Sequence, residues 1–378
     1  MRRALQLAAR GRTHPNPRVG AVLVQKGRII GEGWHEGVGT PHAETTAFAD
    51  SKRRNENTQG ATLYVTLEPC SFWTRPDGTS RIPCAYRCIE AGIAQVFAAL
   101  EDPDARVEGQ GFAQLRAAGV AVTAGMCAAE AREQNKAYIR HRQTGLPYVL
   151  HKAAVTLDGK TAAPSGDSKW ITGPESRAYV HELRNEVDAL VTGVGTVLAD
   201  NPQLTTRLVP TDANPIGNGH NPLRVIIDSA LRTPPTSKVA CAGTLFVGAA
   251  GRATTQNRAV LENTGAEVVT VRPEETGRVS VLELARLLAD RGLLSVLLEC
   301  GGTLAASFWQ VGLVNRALFF VAPKVIGGAT APTALDGAGL SPVMAGATGL
   351  GPFTVRQFGP DVALQAEVQE GQRGDEKE

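Results

Sequence analysis

Four residues of the N-terminal part carry chemistry by type and spacing: His42, Glu44, Cys70 and Cys84. One imidazole and two thiolates are a ligand set for Zn²⁺. Three protein ligands leave a fourth position open to water, which separates catalytic from closed structural sites. A metal held this way makes water a nucleophile near neutral pH. A glutamate two residues after the ligand histidine then moves a proton from water to a ring nitrogen and on to departing ammonia. The pattern points to hydrolytic removal of an amino group from an amidine-like ring carbon. The blander readings are a structural zinc site, or His and Cys side chains that only pack. Cys88 lies one helical turn after Cys84 and is the candidate fourth ligand. Yet Cys88-Ile89 before Ala91-Gly92-Ile93 reads as a buried helix face, where free cysteine behaves as a small hydrophobe.

These residues need elements to hold them. Ala4 to Ala9 is a good helix former ended by Gly11. Thr13 to Gly20 is a proline-stiffened loop; its His14 and Asn16 suit turn chemistry, or Asn16 reads the edge of a base. Ala21–Val24 and Ile29–Gly33 are predicted strands around a Lys26-Gly27 turn. His42 to Ala49 opens a helix, and the β-branched run Ala61 to Leu67 is a strand that delivers Cys70 at its C-terminal end. A helix over Cys84–Ala91, a strand over Val96–Leu100 and a helix over Phe112–Ala118 follow. Such alternation means a sheet covered by helices.

A chain of 378 residues is long enough for two or three domains, each with its own core. With 39 basic against 37 acidic residues, no strongly basic surface argues for nucleic acid. The opening residues lack the apolar run of a signal peptide or membrane span. Six cysteines are too few for a disulfide framework at this length, so a reducing cytoplasm is the expected compartment.

Ala128 to Arg142 is a charged helical stretch broken by Gly145-Leu146-Pro147, which places a domain boundary near Thr144. A first domain over 1–144 and a second over 145–370 follow, with the polar end 371–378 expected to be disordered. The second half repeats strands and glycine turns. Lys152 to Lys160 is a strand into a turn, and Asp188 to Thr196 is a strand ending in the glycine turn Gly193-Val194-Gly195. Arg224–Ser229 and Thr244–Gly248 are strands, and Ser295 to Thr303 is a strand, glycine turn and helix start. Pro174 to Arg184 and Leu282 to Leu288 read as helices. Glycine turns before helices suit the phosphates of a dinucleotide, although the Gly-x-Gly-x-x-Gly fingerprint of an ordinary Rossmann domain is absent.

Taken in order, Asn16-Pro17 before Val19-Gly20, Pro41-His42-Ala43-Glu44, Thr66-Leu67-Glu68-Pro69-Cys70-Ser71 and Asp102-Pro103 resemble the deaminase half of the bifunctional riboflavin-biosynthesis deaminase/reductase family. Lys152 to Lys160, Ser168-Lys169-Trp170-Ile171-Thr172, Gly193-Val194-Gly195-Thr196 with Asp200-Asn201-Pro202, and Glu299-Cys300-Gly301-Gly302 are similar to its reductase half. The resemblance implies an α/β protein of two domains: a cytidine-deaminase-like three-layer α/β/α domain, then a dihydrofolate-reductase-like α/β domain. It implies two cofactors, Zn²⁺ and NADPH, and a small phosphorylated pyrimidine substrate, a diaminopyrimidinone carrying a ribosylamino 5′-phosphate. The ring amino group is hydrolysed and the ribosyl group is then reduced to ribityl. No nucleic acid or membrane partner is implied, and a homo-oligomer (dimer or tetramer) is.

Residue by residue, the resemblance implies zinc on His42, Cys70 and Cys84, Glu44 as proton shuttle and Asn16 at the substrate. In the second half it implies Ser168, Arg184, Leu204, Arg207 and Glu299 at the substrate. It implies Ala154, Trp170, Thr172, Thr196, Asp200, Ser229, Gly301, Gly302 and Thr303 at NADPH, with Lys152 and Asp200 as candidate catalytic groups. Arginine's planar fork matches phosphate, so Arg184 and Arg207 are the expected phosphate pair, and Arg252 is a candidate for the cofactor's 2′-phosphate. By themselves, Arg184 reads as a helix salt-bridge residue, and Arg207 and Lys152 as solvated.

Two places depart from the family pattern. Thirteen residues, Ser71 to Pro83, separate the zinc cysteines; the family has a shorter spacer with a histidine, a basic residue and Thr-Pro-Pro. Pro76-Asp77-Gly78 reads as an inserted turn, and Arg75 or Arg81 is left to supply a cation to the substrate. Cys300 replaces a usual glycine. Three competing functions follow: reduction alone, with the deaminase half altered by its loop; deamination of a nucleic-acid base; and a metal-stabilised NADP-binding regulator without turnover.

Overall fold

The computed structural model describes residues 1–74, 78, 80–210 and 219–369. The expected turn over 76–78 and the expected disorder over 371–378 fall partly or wholly outside them, as does Arg75. The chain divides into two compact units, Met1–Gly145 and Leu146–Glu378.

The first unit runs α1 (Arg2–Ala8), β1 (Gly20–Gln25), β2 (Arg28–Trp34), α2 (Ala43–Arg53), β3 (Thr62–Val65), α3 (Cys84–Glu90), β4 (Gln95–Ala98), α4 (Gln110–Ala117), β5 (Ala121–Ala124), α5 (Ala128–Gln134) and α6 (Lys136–Thr144). Its sheet has the order β2-β1-β3-β4-β5. β1 pairs antiparallel with β2 and β3, whereas β3, β4 and β5 are parallel. Strand alternation sorts the side chains. Ala21, Leu23, Leu63 and Val65 face Ala43 and Ala47 of α2 and Ala85 and Cys88 of α3. Val22 faces Ala4 and Leu7 of α1 on the other side. Three layers result. The charged stretch after residue 128 is two helices rather than one: Asn135 breaks it, its amide side chain engaged with the backbone of Arg18 on both N–H and carbonyl. Gly145 ends α6 at φ 70°, a left-handed cap that glycine adopts without strain.

The second unit runs β6 (Tyr148–Thr156), α7 (Pro174–Glu186), β7 (Ala189–Gly193), α8 (Val194–Asp200), β8 (Leu223–Ile227), β9 (Thr244–Ala249), α9 (Thr255–Glu262), β10 (Glu267–Val271), α10 (Val281–Asp290), β11 (Ser295–Leu298), α11 (Gly302–Gln310), β12 (Val314–Ala322), β13 (Thr354–Phe358) and β14 (Asp361–Glu367). They form a nine-stranded sheet, β10-β9-β8-β7-β11-β6-β12-β14-β13. It is parallel from β10 through β12 and antiparallel at the β14–β13 edge. Val149, Val191, Val225, Val247 and Val296 pack with α10 and α11 on one face; Leu190, Ile226 and Phe246 pack with Leu261 of α9 on the other. The expected glycine turn after β7 is absent: Gly193 caps α8 directly. Among the described residues no helix is long and apolar enough to cross a membrane.

Candidate active sites

His42 is the N-cap of α2, so Glu44 falls in the first helical turn. Cys70 follows β3, and Cys84 is the first residue of α3. His42 Nδ1 lies 3.8 Å from Cys70 Sγ and 3.5 Å from Cys84 Sγ, and the three ligand atoms lie within 4.8 Å of one another. Tetrahedral zinc, with Zn–N and Zn–S near 2.0–2.1 and 2.3 Å, separates such nitrogen and sulfur atoms by about 3.6 Å. The donor set fits the metal by type and spacing, with Arg81 Nη2, 3.0 Å from His42 Nδ1 and 2.7 Å from Cys70 Sγ, having to swing aside for it. The Cys84 amide donates to Cys70 Sγ over 3.3 Å. The Cys84 contact, then the His42 imidazole, hold the Cys70 thiol well below its usual range, whereas Cys84 is pushed up. Cys88 is fully buried on the inner face of α3 and takes no part in the cluster. Glu44 is 3% exposed, and burial raises its carboxyl above the ordinary carboxylate range. A carboxyl shifted that way suits a proton carrier.

Arg81 is one of the two candidates for a cation toward the substrate. Its guanidinium lies against the ligands themselves, with Nη1 2.9 Å from His42 Nε2 and Nη2 2.7 Å from Cys70 Sγ. A positive group stands beside two sulfurs and an imidazole, which is the charge preference of a metal site. The guanidiniums of Arg81 and Arg106 lie 5.0 and 5.4 Å from the centroid of the Phe72 ring.

Two residues have supporting roles that the sequence did not assign. Glu68 is buried and accepts backbone N–H bonds from Asp102, Gly109 and Phe112 at 3.2, 3.0 and 3.1 Å. It thereby ties the Cys70 segment to the start of α4. Gly111 permits that approach, since a Cβ there would sit 2.0 Å from the Pro69 carbonyl. His35 lies behind Asn16. Its Nδ1 is 3.1 Å from the Pro41 carbonyl and its Nε2 is 3.2 Å from Asn16 Nδ2. The carbonyl requires the proton on Nδ1, so Nε2 accepts from the Asn16 amide. That orientation turns the Asn16 carbonyl oxygen away from His35, available to a ligand's N–H. A histidine after Gly33-Trp34 and seven residues before the ligand histidine was the available signal.

Every second-half residue singled out above lines one cleft of about 1130 Å³ within the second unit. The cleft lies at the C-terminal ends of parallel strands, where open α/β sheets bind ligands. Lys152 and Ala154 come from β6, Ser229 follows β8, Arg252 follows β9 and Glu299 follows β11. Helices α8 and α11 begin on it at Gly193 and Gly301 and point backbone N–H groups inward. Gly302 is required by packing: a Cβ would lie 2.5 Å from the Thr333 carbonyl and 2.6 Å from Asp336 Oδ2.

Arg184 does not present a free fork. Nε and Nη2 donate to the two oxygens of Glu299 at 2.8 and 2.9 Å, and Nη1 to the Thr205 carbonyl at 3.2 Å. Lys152 Nζ stands 3.8 Å from the same Glu299. Despite its burial, Glu299 is held down at about 2 by Arg184 first and Lys152 next; burial lowers the Lys152 ammonium. Arg207 is exposed and donates to Gln203 and Thr205. Lys169 pairs with Asp200 at 3.2 Å. Cys300 packs against the core edge, and burial pushes its thiol up. At the β8–β9 end, Arg232, Arg252 and Arg278 line the same cleft.

Comparison with known proteins covers both halves. The model of the cytidine and deoxycytidylate deaminase zinc-binding region matches residues 1–100, and that of the RibD C-terminal domain matches 147–364. Riboflavin biosynthesis protein RibD of Bacillus amyloliquefaciens is 38% identical over 100% of this chain and 97% of its own. That of Escherichia coli (strain K12) is 38% identical over 96% and 97%. Among solved structures, Acinetobacter baumannii RibD is 34% identical with a TM-score of 0.82, covering 98% of each chain. A Thermotoga maritima diaminohydroxyphosphoribosylaminopyrimidine deaminase/5-amino-6-(5-phosphoribosylamino)uracil reductase is 32% identical with a TM-score of 0.80, covering 98% of this chain and 97% of its own.

Proposed function

The chain belongs to the RibD family of riboflavin biosynthesis proteins, and on that premise we propose how its two sites divide the work of a bifunctional deaminase/reductase. The first half hydrolyses the ring amino group of a diaminopyrimidinone bearing a ribosylamino 5′-phosphate. The second reduces the ribosyl group of the product to ribityl. Zinc serves the first reaction and NADPH the second. The observation that carries this reading is the compact His42, Cys70 and Cys84 cluster with buried Glu44 beside it.

Bound by those three side chains, zinc supplies the Lewis acidity that makes water nucleophilic at neutral pH. Glu44 takes the proton from the attacking water on its carboxylate and returns it to the ring nitrogen and then to ammonia. Asn16, its amide fixed by His35, orients the ring. In the reductase cleft, bound NADPH would supply the hydride that reduces C1 of the ring-opened sugar. Lys152, beside Glu299, donates toward the reacting sugar, and Asp200, paired with Lys169, faces the same cleft. Arg207 receives the phosphate, while Arg184 holds Glu299 in place beneath it, and Ser168 and Leu204 complete the substrate wall. When bound, the cofactor would be held by Ala154, Trp170, Thr172, Thr196 and Ser229 and the turn Gly301-Gly302-Thr303. The exposed arginines 232, 252 and 278 receive its 2′-phosphate. The enzyme works in the cytoplasm as a homo-oligomer, a dimer or tetramer.

Reduction alone is the second reading, favoured by one feature, the Ser71–Pro83 spacer. Ammonia release by the wild type separates the two, and His42→Ala tests the metal assignment. That variant should abolish deamination and leave NADPH oxidation with the already deaminated substrate within about twofold of wild type. If His42→Ala leaves ammonia release intact, the metal assignment is wrong.

A further inference from the structure

We propose that His181 is a phosphate-binding residue of the reductase cleft, donating from Nε2 alongside Arg207. The inference rests on the reading of that cleft as the site of a phosphorylated sugar. His181 lies on α7, one turn before Arg184, so both face the same way. The backbone N–H of Arg207 donates to His181 Nδ1 over 3.2 Å. A neutral imidazole accepting at Nδ1 carries its proton on Nε2. That nitrogen lies 3.4 Å from Arg207 Nη2. Two N–H donors at this distance cannot satisfy each other. They converge instead on a shared acceptor, and a phosphate oxygen offers the charge and lone pairs for both.

The neighbours support an anion. The ring is bordered by Arg184, Arg207 and the carboxylate of Glu299, and it shares the Thr205 carbonyl as a hydrogen-bond acceptor. That carbonyl already accepts from Arg184 Nη1, and Glu299 is taken up by the Arg184 fork and Lys152. Arg207 spends Nη1 on Gln203 and Thr205 and keeps Nη2 on the His181 side. Burial, then the two arginines, hold the imidazole neutral, with its pKa lowered to about 4, so it binds as a neutral donor. The same arrangement makes His181 a bracket for the 205–207 segment, so it couples Arg207 to α7.

The test compares reductase kinetics on the deaminated substrate with and without its 5′-phosphate, in wild type, His181→Phe and His181→Gln. The ratio of kcat/KM for the phosphorylated over the dephosphorylated form should fall about tenfold in His181→Phe. In His181→Gln, whose amide retains a donor and an acceptor, it should stay within about threefold of wild type. A packing role alone would lower both substrates together and leave the ratio in place. An unchanged ratio in His181→Phe overturns the proposal, as does an equal fall in both variants. A wild-type ratio near one overturns the anion site while leaving the reductase reading intact. Failure of wild type to oxidise NADPH with either form refutes that reading and takes the inference with it.

Discussion

Glu299→Gln should be far more damaging than a single lost charge suggests. In the wild type, Glu299 accepts both Arg184 bonds at 2.8 and 2.9 Å with Lys152 3.8 Å away. The side chains of Glu299, Arg184 and Lys152 are 11, 12 and 16% exposed. The isosteric amide keeps volume but turns one acceptor into a donor facing Arg184, and leaves two buried cations uncompensated. Breaking a buried pair from one side costs about 3–5 kcal/mol. Linkage gives the same sign: Arg184 and Lys152 hold the Glu299 carboxyl at about 2, well below the ordinary carboxylate range. The sign follows from the depression: the stabilisation is complete above pH 4.5 and is lost as pH falls through 2. The assay is urea unfolding at pH 7.5 and pH 5.5, following the transition that NADPH protects, because a two-unit chain need not unfold in one step. The deficit should be about 3 kcal/mol at both pH values and should shrink in the Glu299→Gln/Arg184→Met double variant. A deficit below about 1 kcal/mol, additive with Arg184→Met, would refute the reasoning.

Two further outcomes follow from the supporting residues. His151 is fully buried on β6, and Trp309 Nε1 donates to its Nδ1 over 3.0 Å; burial, then Lys152, lower its pKa to about 4. Its contribution is therefore present above the unfolded value near 6.5 and is lost as pH falls through 4. Between pH 7.5 and 5 it should cost the second unit about 2 kcal/mol, a slope that His151→Asn flattens in pH-dependent denaturation. Gly111→Ala places a methyl 2.0 Å from the Pro69 carbonyl and must push α4 off the Cys70 segment; zinc affinity, read by competition with a chromophoric chelator, should drop about tenfold or more.

The metal ligands were legible because a His-x-Glu pair and two Pro-Cys steps have few other uses, and because the strand into Cys70 is β-branched. The main parallel strands were legible for the same reason. β12 went unread although Val314–Ala322 is an interior strand of the sheet, since its apolar part, Ala317–Ala322, has no period to mark its faces. The turn expected after β7 became α8 because Gly193 serves equally as a helix cap. Glu68, His35 and His181 escaped notice for a different reason. A lone polar residue gains its meaning from distant partners, as Glu68 does from Asp102, Gly109 and Phe112. Arg184 shows the converse: sequence offered both a phosphate arginine and a salt-bridge arginine, and the Glu299 fork identifies the partner of the second.

The central claim is that the first half deaminates with its lengthened loop in place. Its most direct test is ammonia release from the diaminopyrimidinone ribosylamino phosphate by zinc-loaded protein without NADPH. Stoichiometric ammonia from wild type, reduced by about a thousandfold or more in Glu44→Gln, is the predicted result. No ammonia from folded, zinc-containing wild-type protein, or equal release from Glu44→Gln, would contradict it.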